Sequence, residues 1–280
     1  MIKSILVCTD GSQFGDTACE YGINLAQQLK TSLTGLHVLD SRMLEGPLMA
    51  DISGWLGAQP FGAQLQQFRE LMEQKGAAVI AAFDKLCEEK GIPFEGTVEM
   101  GHPAQVILAA AARTELIIMG QNGEHAEWSG DMIGSTVERI VRHSLKPCMV
   151  TPLKYHPITK ILAAFDGSPH ASGALHEAIE MALALSVPLV ILTVAENFDV
   201  AEAREIAENG MKLARAHECA AAHLVVEGQP EQLILTKAEE LGCNLIVVGA
   251  YGHNRIRELV LGSTTTRLIT ETHLLLMLVR

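Results

Sequence analysis

Aromatic side chains are scarce, at 4% of the 280 residues. The core therefore has to come from aliphatic residues, which suits an α/β sheet of Val, Ile and Leu. Clustered base is also missing. Lys and Arg number 21 against 33 Asp and Glu, for a net charge of −12, and a nucleic-acid partner, which is held by clustered cations, is not expected. The six cysteines, Cys8, Cys19, Cys87, Cys148, Cys219 and Cys243, form no Cys-x-x-Cys pair. Several fall inside apolar runs, which predicts reduced, hydrophobe-like thiols in a cytoplasmic protein. No stretch approaches 18 uninterrupted apolar residues, and Met1-Ile2-Lys3-Ser4 leads straight into a strand pattern, so neither a membrane partner nor a leader is expected. Catalytic signatures are lacking too. There is no Gly-x-x-x-x-Gly-Lys-Ser/Thr, no Gly-x-Ser-x-Gly and no His-Glu-x-x-His. The 11 histidines are scattered, and His170 and His176 are six apart, wrong for one helical face, so no metal site is expected.

What the chain does have, it has twice. Gly120-Gln121-Asn122-Gly123 is followed by Gly134-Ser135-Thr136, and Gly249-Ala250-Tyr251-Gly252 by Gly262-Ser263-Thr264. Asp10-Gly11-Ser12 pairs with Asp166-Gly167-Ser168 at an offset of 156, and from Gly134 onward the offset is a constant 128. The difference, 156 − 128 = 28, is extra chain in the first copy, between about residues 40 and 75. A repeat of this length is a duplicated domain. The expected domains are 1–152, with the extra segment, and 158–280, joined by a linker near Leu153–Pro157.

Each copy reads as alternating strands and helices, which predicts a doubly wound parallel sheet. In the first copy strands are expected at 5–9, 33–39, 94–100, 116–119 and 148–150. In the second they are expected at 161–165, 189–194, 223–227, 245–248 and 274–279. The last strand of each copy is strongly apolar, a liability as a free edge. The copies are therefore expected to pack as a pseudo-dimer through these strands, about a near two-fold axis. The extra segment carries Met43, Leu44, Leu48, Met49, Ile52, Trp55, Leu56 and Phe61. Covering the seam between domains is preferred for it over a lid or docking surface.

Ligands in open α/β sheets bind at the carboxyl ends of strands where strand order reverses. Asp10 and Asp166 end the first strand of their copies, and the glycine loops end the fourth. If those strands adjoin, aspartate and loop face one crevice. The aspartate can then bind a ribose hydroxyl, the base or a magnesium ion; alternatively Asp-Gly-Ser is a turn and helix cap. Gly-Ser-Thr opening a helix offers unsatisfied N–H groups and hydroxyls to a phosphate. The second loop carries His253, Arg255 and Arg257, whereas the first carries Glu124, Glu127 and Asp131. The second site is accordingly expected to be the tighter one.

Together, Asp-Gly-Ser after the first strand, Gly-x-Pro at the third helix and Gly-2x-Gly-9x-Gly-Ser/Thr resemble the universal stress protein family, over nearly the whole chain. The resemblance implies two tandem, five-stranded, adenine nucleotide alpha hydrolase-like α/β domains. It also implies ATP as ligand, with magnesium as its companion. Carried over, the first site would use Cys8, Asp10, Val38, Met119, Gly120, Gly123, Gly134, Ser135 and Thr136. The second would use Ala164, Asp166, Val194, Val248, Gly249, Gly252, Gly262, Ser263 and Thr264. The first departs from the motif by one residue in its spacer. Three functions stay open: an ATP-binding regulatory module without efficient catalysis, a slow ATPase using the same sites, and a scaffold for an apolar ligand or a protein partner. A homodimer is also left open.

Overall fold

A computed structural model of the chain describes residues 2–42, 61–123, 134–196, 199–250 and 261–280. The apolar cluster at 43–60 and the loop residues at 124–133 and 251–260 lie outside the described residues, and so do the expectations placed on them. In the first half the elements run β1 (Ser4–Cys8), α1 (Gln13–Leu29), β2 (Ser32–Asp40), α2 (Phe61–Glu89), β3 (Phe94–Gly101), α3 (Pro103–Ala111), β4 (Leu116–Gly120), α4 (Ser135–His143) and β5 (Cys148–Thr151). The second half repeats them as β6 (Ile161–Ala164), α5 (Pro169–Leu185), β7 (Leu189–Ala195), α6 (Val200–Ala216), β8 (Ala221–Glu227), α7 (Pro230–Glu240), β9 (Leu245–Gly249), α8 (Ser263–Glu271) and β10 (Leu275–Val279).

The local reasons for these elements recur in both halves. Ser12 and Ser168 cap α1 and α5, each hydroxyl accepting from a backbone N–H three residues on, at 3.2 Å. Both helices end on a left-handed residue, Lys30 at φ 53° and Ser186 at φ 56°. Pro103 and Pro230 open α3 and α7, where a missing N–H costs nothing. The inner strands are buried on both faces, so they read as continuous apolar runs: Ile5, Leu6, Val7, Ile117, Ile118, Ile246 and Val247 are all 0% exposed.

The ten strands form one sheet in the order β3-β2-β1-β4-β5-β10-β9-β6-β7-β8. Every pairing within a half is parallel. Among the described residues the only antiparallel pairing is between the last strands, where Val150 faces Leu276, Met149 faces Met277 and Cys148 faces Leu278. Met149 and Met277 are counterparts in the repeat, 277 − 149 = 128, so each faces its own copy and the pseudo-two-fold axis passes between them. The expected pseudo-dimer is what the fold shows. Pairing the two apolar edges leaves β3 and β8 as the outer strands, both only partly buried and carrying charges such as Glu95 and Glu227.

Further ties cross the seam. The Gln121 carboxamide donates to Ile269 O and Thr270 O at the end of α8. The Arg280 guanidinium donates to Arg142 O, in the equivalent turn of α4, at 3.4 Å. These bonds satisfy last-turn carbonyls that a helix cannot pair internally.

The two halves differ most at the second crossover. Helix α2 has 29 residues and its counterpart α6 has 17. The ends correspond, so the extra turns, 61–72, lie at the start of α2. Val79 of α2 packs on Gly11, a position at φ +77° that only glycine adopts without strain, and Ile206 of α6 packs on Gly167 at φ +79°.

Candidate functional site

In both halves the first and fourth strands adjoin: Cys8 is in register with Met119, and Ala163 with Val247. The chain moves outward one way through β1, β2 and β3 and the other way through β4 and β5, so strand order reverses between β1 and β4. At their carboxyl ends lies a cavity of about 330 Å³. All nine residues carried over for the first site line it: Cys8, Asp10, Val38, Met119, Gly120, Gly123, Gly134, Ser135 and Thr136. These come from four elements spread over 128 positions (136 − 8), and the sheet brings them together.

The Asp-Gly-Ser segment is a turn and helix cap as well as part of the cavity wall. Asp10 Oδ1 accepts from the Ser12 N–H at 3.0 Å and from the Ser12 hydroxyl at 2.6 Å, while a β-carbon at Gly123 would meet Asp10 Oδ2 at 2.8 Å. The aspartate and the glycine loop are thus in direct contact. Asp166 Oδ1 likewise accepts from the Ser168 N–H at 2.9 Å.

The glycines divide into two kinds. At Gly120 a β-carbon would lie 2.7 Å from Phe14 Cβ and 2.9 Å from Asn122 O; at Gly249 it would lie 3.0 Å from the His170 carbonyl carbon. Those positions let the strand end and the first turn of α1 or α5 approach, which is a packing role. At Gly134 the nearest atom would be Gln121 O at 3.6 Å, and at Gly262 it would be Thr265 Oγ1 at 4.0 Å. Neither has a positive φ, with values of −54° and −61°, and neither helix they precede has a side-chain cap. Among the described residues nothing demands glycine there.

The electrostatics add groups that the motif did not contain. Arg42, just after β2, and Lys75, on α2, line the cavity with Asp40 and His37. Arg42 holds Asp40 in a bidentate pair, with Nε to Oδ1 at 2.8 Å and Nη2 to Oδ2 at 2.5 Å. Burial pushes the Asp40 carboxyl up, but the hydrogen bonds from the Arg42 side chain and backbone outweigh it, and the net shift is downward. His37 Nδ1 lies 2.9 Å from Thr9 O, and in the other half the Thr193 hydroxyl donates to the equivalent Phe165 O at 2.9 Å. A carbonyl can only accept, so His37 carries its proton on Nδ1. Burial, and then the neighbouring Cys148 and Cys19, push the Cys8 thiol far above its ordinary range, so it lines the cavity as an apolar, unreactive wall. Asp16, in the first turn of α1, is raised by partial burial and then by the charge of Asp10. Among the described residues no group of three His, Cys, Asp or Glu is placed to hold a metal, and no helix is long and apolar enough to cross a membrane.

The sequence of the universal stress protein family, taken as a family model, matches residues 1–152 and 157–280. The chain belongs to the universal stress protein family. It is similar to universal stress protein Slr1230 of Synechocystis, 31% identical over 283 residues that cover 97% of each chain. Its fold is shared with a universal stress protein from Archaeoglobus fulgidus, at a TM-score of 0.75 and 20% identity, covering 99% of this chain and 98% of that one. A universal stress protein solved in complex with cAMP is also similar, 23% identical with a TM-score of 0.40, over 45% of this chain and 98% of that one.

The second half repeats the family arrangement. Ala164 and Asp166 stand at the end of β6, Val194 on β7, and Val248 and Gly249 at the end of β9. Gly262, Ser263 and Thr264 open α8, while Gly252 lies outside the described residues. The expectation of a tighter second site drew its charges from 124–133 and 251–260, also outside them. The described residues carry a charge difference of the opposite sense. Lys75 overhangs the first cavity, and its counterpart on α6, 127 positions on, is Glu202. Reading the motif missed Arg42 and Lys75 because they come from the irregular second crossover. The one available signal for Lys75 was helical spacing, four residues before the Val79 that touches Gly11.

Proposed function

We propose that the chain is a regulatory ATP-binding protein of the cytoplasm that binds the nucleotide, with magnesium, and does not turn it over efficiently. The observation that carries this is the pair Gly134 and Gly262: among the described residues room is left for a side chain at both helix starts, neither backbone needs glycine, and no side chain caps either helix. A phosphate seated on those N–H groups explains all three facts, since it needs close backbone approach and itself satisfies the donors. The rest of the first cavity fits the other parts of the molecule. Leu36, Val38, Ile107 and Val137 offer apolar walls to a base, Asp10 an acceptor to a ribose or a ligand to magnesium, and Arg42 and Lys75 positive charge to phosphates. The six buried free thiols accord with a reducing compartment.

The regulatory reading over the catalytic one rests on the chemistry of the lining. Phosphoryl transfer needs a positioned nucleophile as well as cations on the transferring group. Here Asp10 already accepts from Ser12, and Cys8 is held as a thiol. The test is mass spectrometry of nucleotide released on denaturing freshly purified protein, followed by turnover measurements with added ATP and magnesium. Bound ATP and turnover several powers of ten below the typical enzyme value of about 10 per second are expected. Absence of adenine nucleotide together with no measurable ATP binding refutes the reading; sustained turnover near about one per second, abolished by Asp10→Ala or Asp166→Ala, makes the protein an enzyme.

A further inference from the structure

Beside the main cavity of the first half lies a second of about 150 Å³, lined by Arg42, His102, Arg139, Ala104, Gln105 and the Pro103, Ser135 and Thr136 that border both. The two spaces share Arg42, Pro103, Ser135 and Thr136, so they adjoin at the start of α4. The main cavity, at about 330 Å³, is near the lower end of ligand pockets, which run from about 300 to 1,000 Å³. The side cavity adds room beside Ser135 and Thr136 for a chain of phosphates.

The lining includes Arg42, His102 and Arg139, and the second half arranges the counterpart of Arg139 differently. Arg139 corresponds to Arg267, 128 positions on, and Ala104 to Glu231, 127 positions on. Arg267 is engaged within its own half, with Nε 2.7 Å from Glu271 and Nη1 4.0 Å from Glu231. In the first half the residue opposite is alanine, and His143 stands where the second half has Glu271. Among the described residues Arg139 has no carboxylate partner. The first half therefore keeps an exposed guanidinium beside an open space, while the second half neutralises the same guanidinium with two carboxylates of its own. Asp40, on the wall of the main cavity, is engaged by Arg42.

We propose that this side cavity is a terminal-phosphate subsite, with Arg139 and His102 as its contacts, that makes the first half select a nucleoside triphosphate over the monophosphate. It rests on the nucleotide reading above. The second half, with its arginine paired internally, has no such selectivity. An arginine fork binds phosphate through charge-assisted hydrogen bonds, and on this reading the terminal phosphate of a triphosphate is the one that extends into the side cavity.

The experiment is calorimetric titration of the full-length protein with ATP, ADP and AMP in magnesium buffer, for wild type, Arg139→Gln, Arg139→Lys, Ala104→Glu and Arg267→Gln. In Arg139→Gln one class of sites is expected to lose ATP affinity by about tenfold or more, about 1.4 kcal/mol, with AMP affinity unchanged. Arg139→Lys should lose less, because it keeps the charge without the fork. Ala104→Glu copies the second half and should act like Arg139→Gln, and Arg267→Gln should leave both ligands alone. Unchanged ATP affinity in Arg139→Gln overturns the subsite while the nucleotide reading stands. Equal weakening of ATP and AMP also overturns it, since Arg139 would then be shaping the main cavity. No binding of any of the three nucleotides to wild type removes both readings.

Discussion

Replacing both helix-start glycines, in Gly134→Ala/Gly262→Ala, separates a glycine kept for a ligand from a glycine kept for packing. Among the described residues the added methyl at 134 meets nothing closer than Gln121 O at 3.6 Å, and at 262 nothing closer than 4.0 Å, which is ordinary contact. Losing a glycine from the unfolded chain stabilises by about 0.4–1 kcal/mol per site. Alanine is a poorer helix cap than glycine, at a cost of up to about 1 kcal/mol. The two terms oppose, so the unliganded variant should unfold in urea within about 1 kcal/mol per site of wild type. Gly120→Ala is the contrast. Its methyl would sit 2.7 Å from Phe14 Cβ and 3.0 Å from the Phe14 carbonyl carbon, inside the 3.5–4.0 Å of a normal carbon contact, and both atoms belong to the first turn of α1. Overpacking of this kind costs roughly 1–3 kcal/mol. Binding should order the variants the other way. A methyl that displaces one charged hydrogen bond between backbone and phosphate costs about 1.5–3 kcal/mol, roughly a ten- to hundredfold rise in Kd for ATP. The double variant should thus be stable and bind poorly. If it loses as much stability as Gly120→Ala, or binds ATP like wild type, the assignment of these two glycines to a ligand is wrong.

Other expected outcomes concern the seam and the buried groups. Met149→Asp and Met277→Asp each place an uncompensated carboxylate beside the pseudo-two-fold axis, at positions 0% exposed. Each should cost about 3–5 kcal/mol, and the two costs should agree within about 1 kcal/mol because the sites are counterparts; tolerance of either one in urea melts would refute a shared, dry seam. Gln121→Ala removes the bonds to Ile269 O and Thr270 O and should cost about 1 kcal/mol; a melt identical to wild type would deny that tie any role. Glu177 on α5 is raised by burial, an effect that His176 partly offsets and to which Glu180 and Glu115 add smaller upward contributions. Its folded pKa lies above the unfolded one, so its contribution is fully present below the ordinary glutamate value of about 4.3 and is lost as pH rises through the folded value. Glu177→Gln should therefore be more stable than wild type at pH 7, by a margin that shrinks at pH 4; a margin that grows on acidification reverses the sign and the explanation. Burial pushes Cys87 up to about 11 and Cys19 and Cys148 up to about 12. Native protein at pH 8 should be silent to a thiol reagent and expose all six thiols in denaturant; fast labelling of the native protein would show a reactive site that this structure does not contain.

Much of the site was legible in the residues because it is built from local grammar. A strand ends, Asp-Gly-Ser turns the chain, Gly-Ser-Thr opens a helix, and each step uses backbone preferences confined to a few neighbouring positions. Duplication told the copies apart from chance, and two apolar last strands predicted their own pairing. The parallel order of the sheet followed from alternation, and it placed all nine first-site residues on one cavity once β1 and β4 adjoined.

The tertiary structure decided what depends on residues distant in sequence. Nothing in the pattern of 40–75 says that α2 would hold Lys75 over the cavity, or that Arg42 would turn back onto Asp40. Arg139 and Arg267 look alike in the repeat, and only packing shows one facing Ala104 and an open space, the other facing Glu231. The isologous meeting of Met149 with Met277 is of the same kind. Local hydrogen bonding and hydrophobic periodicity write secondary structure into the chain, whereas the partner of a long charged side chain is set by which surfaces the sheet brings within a few ångströms.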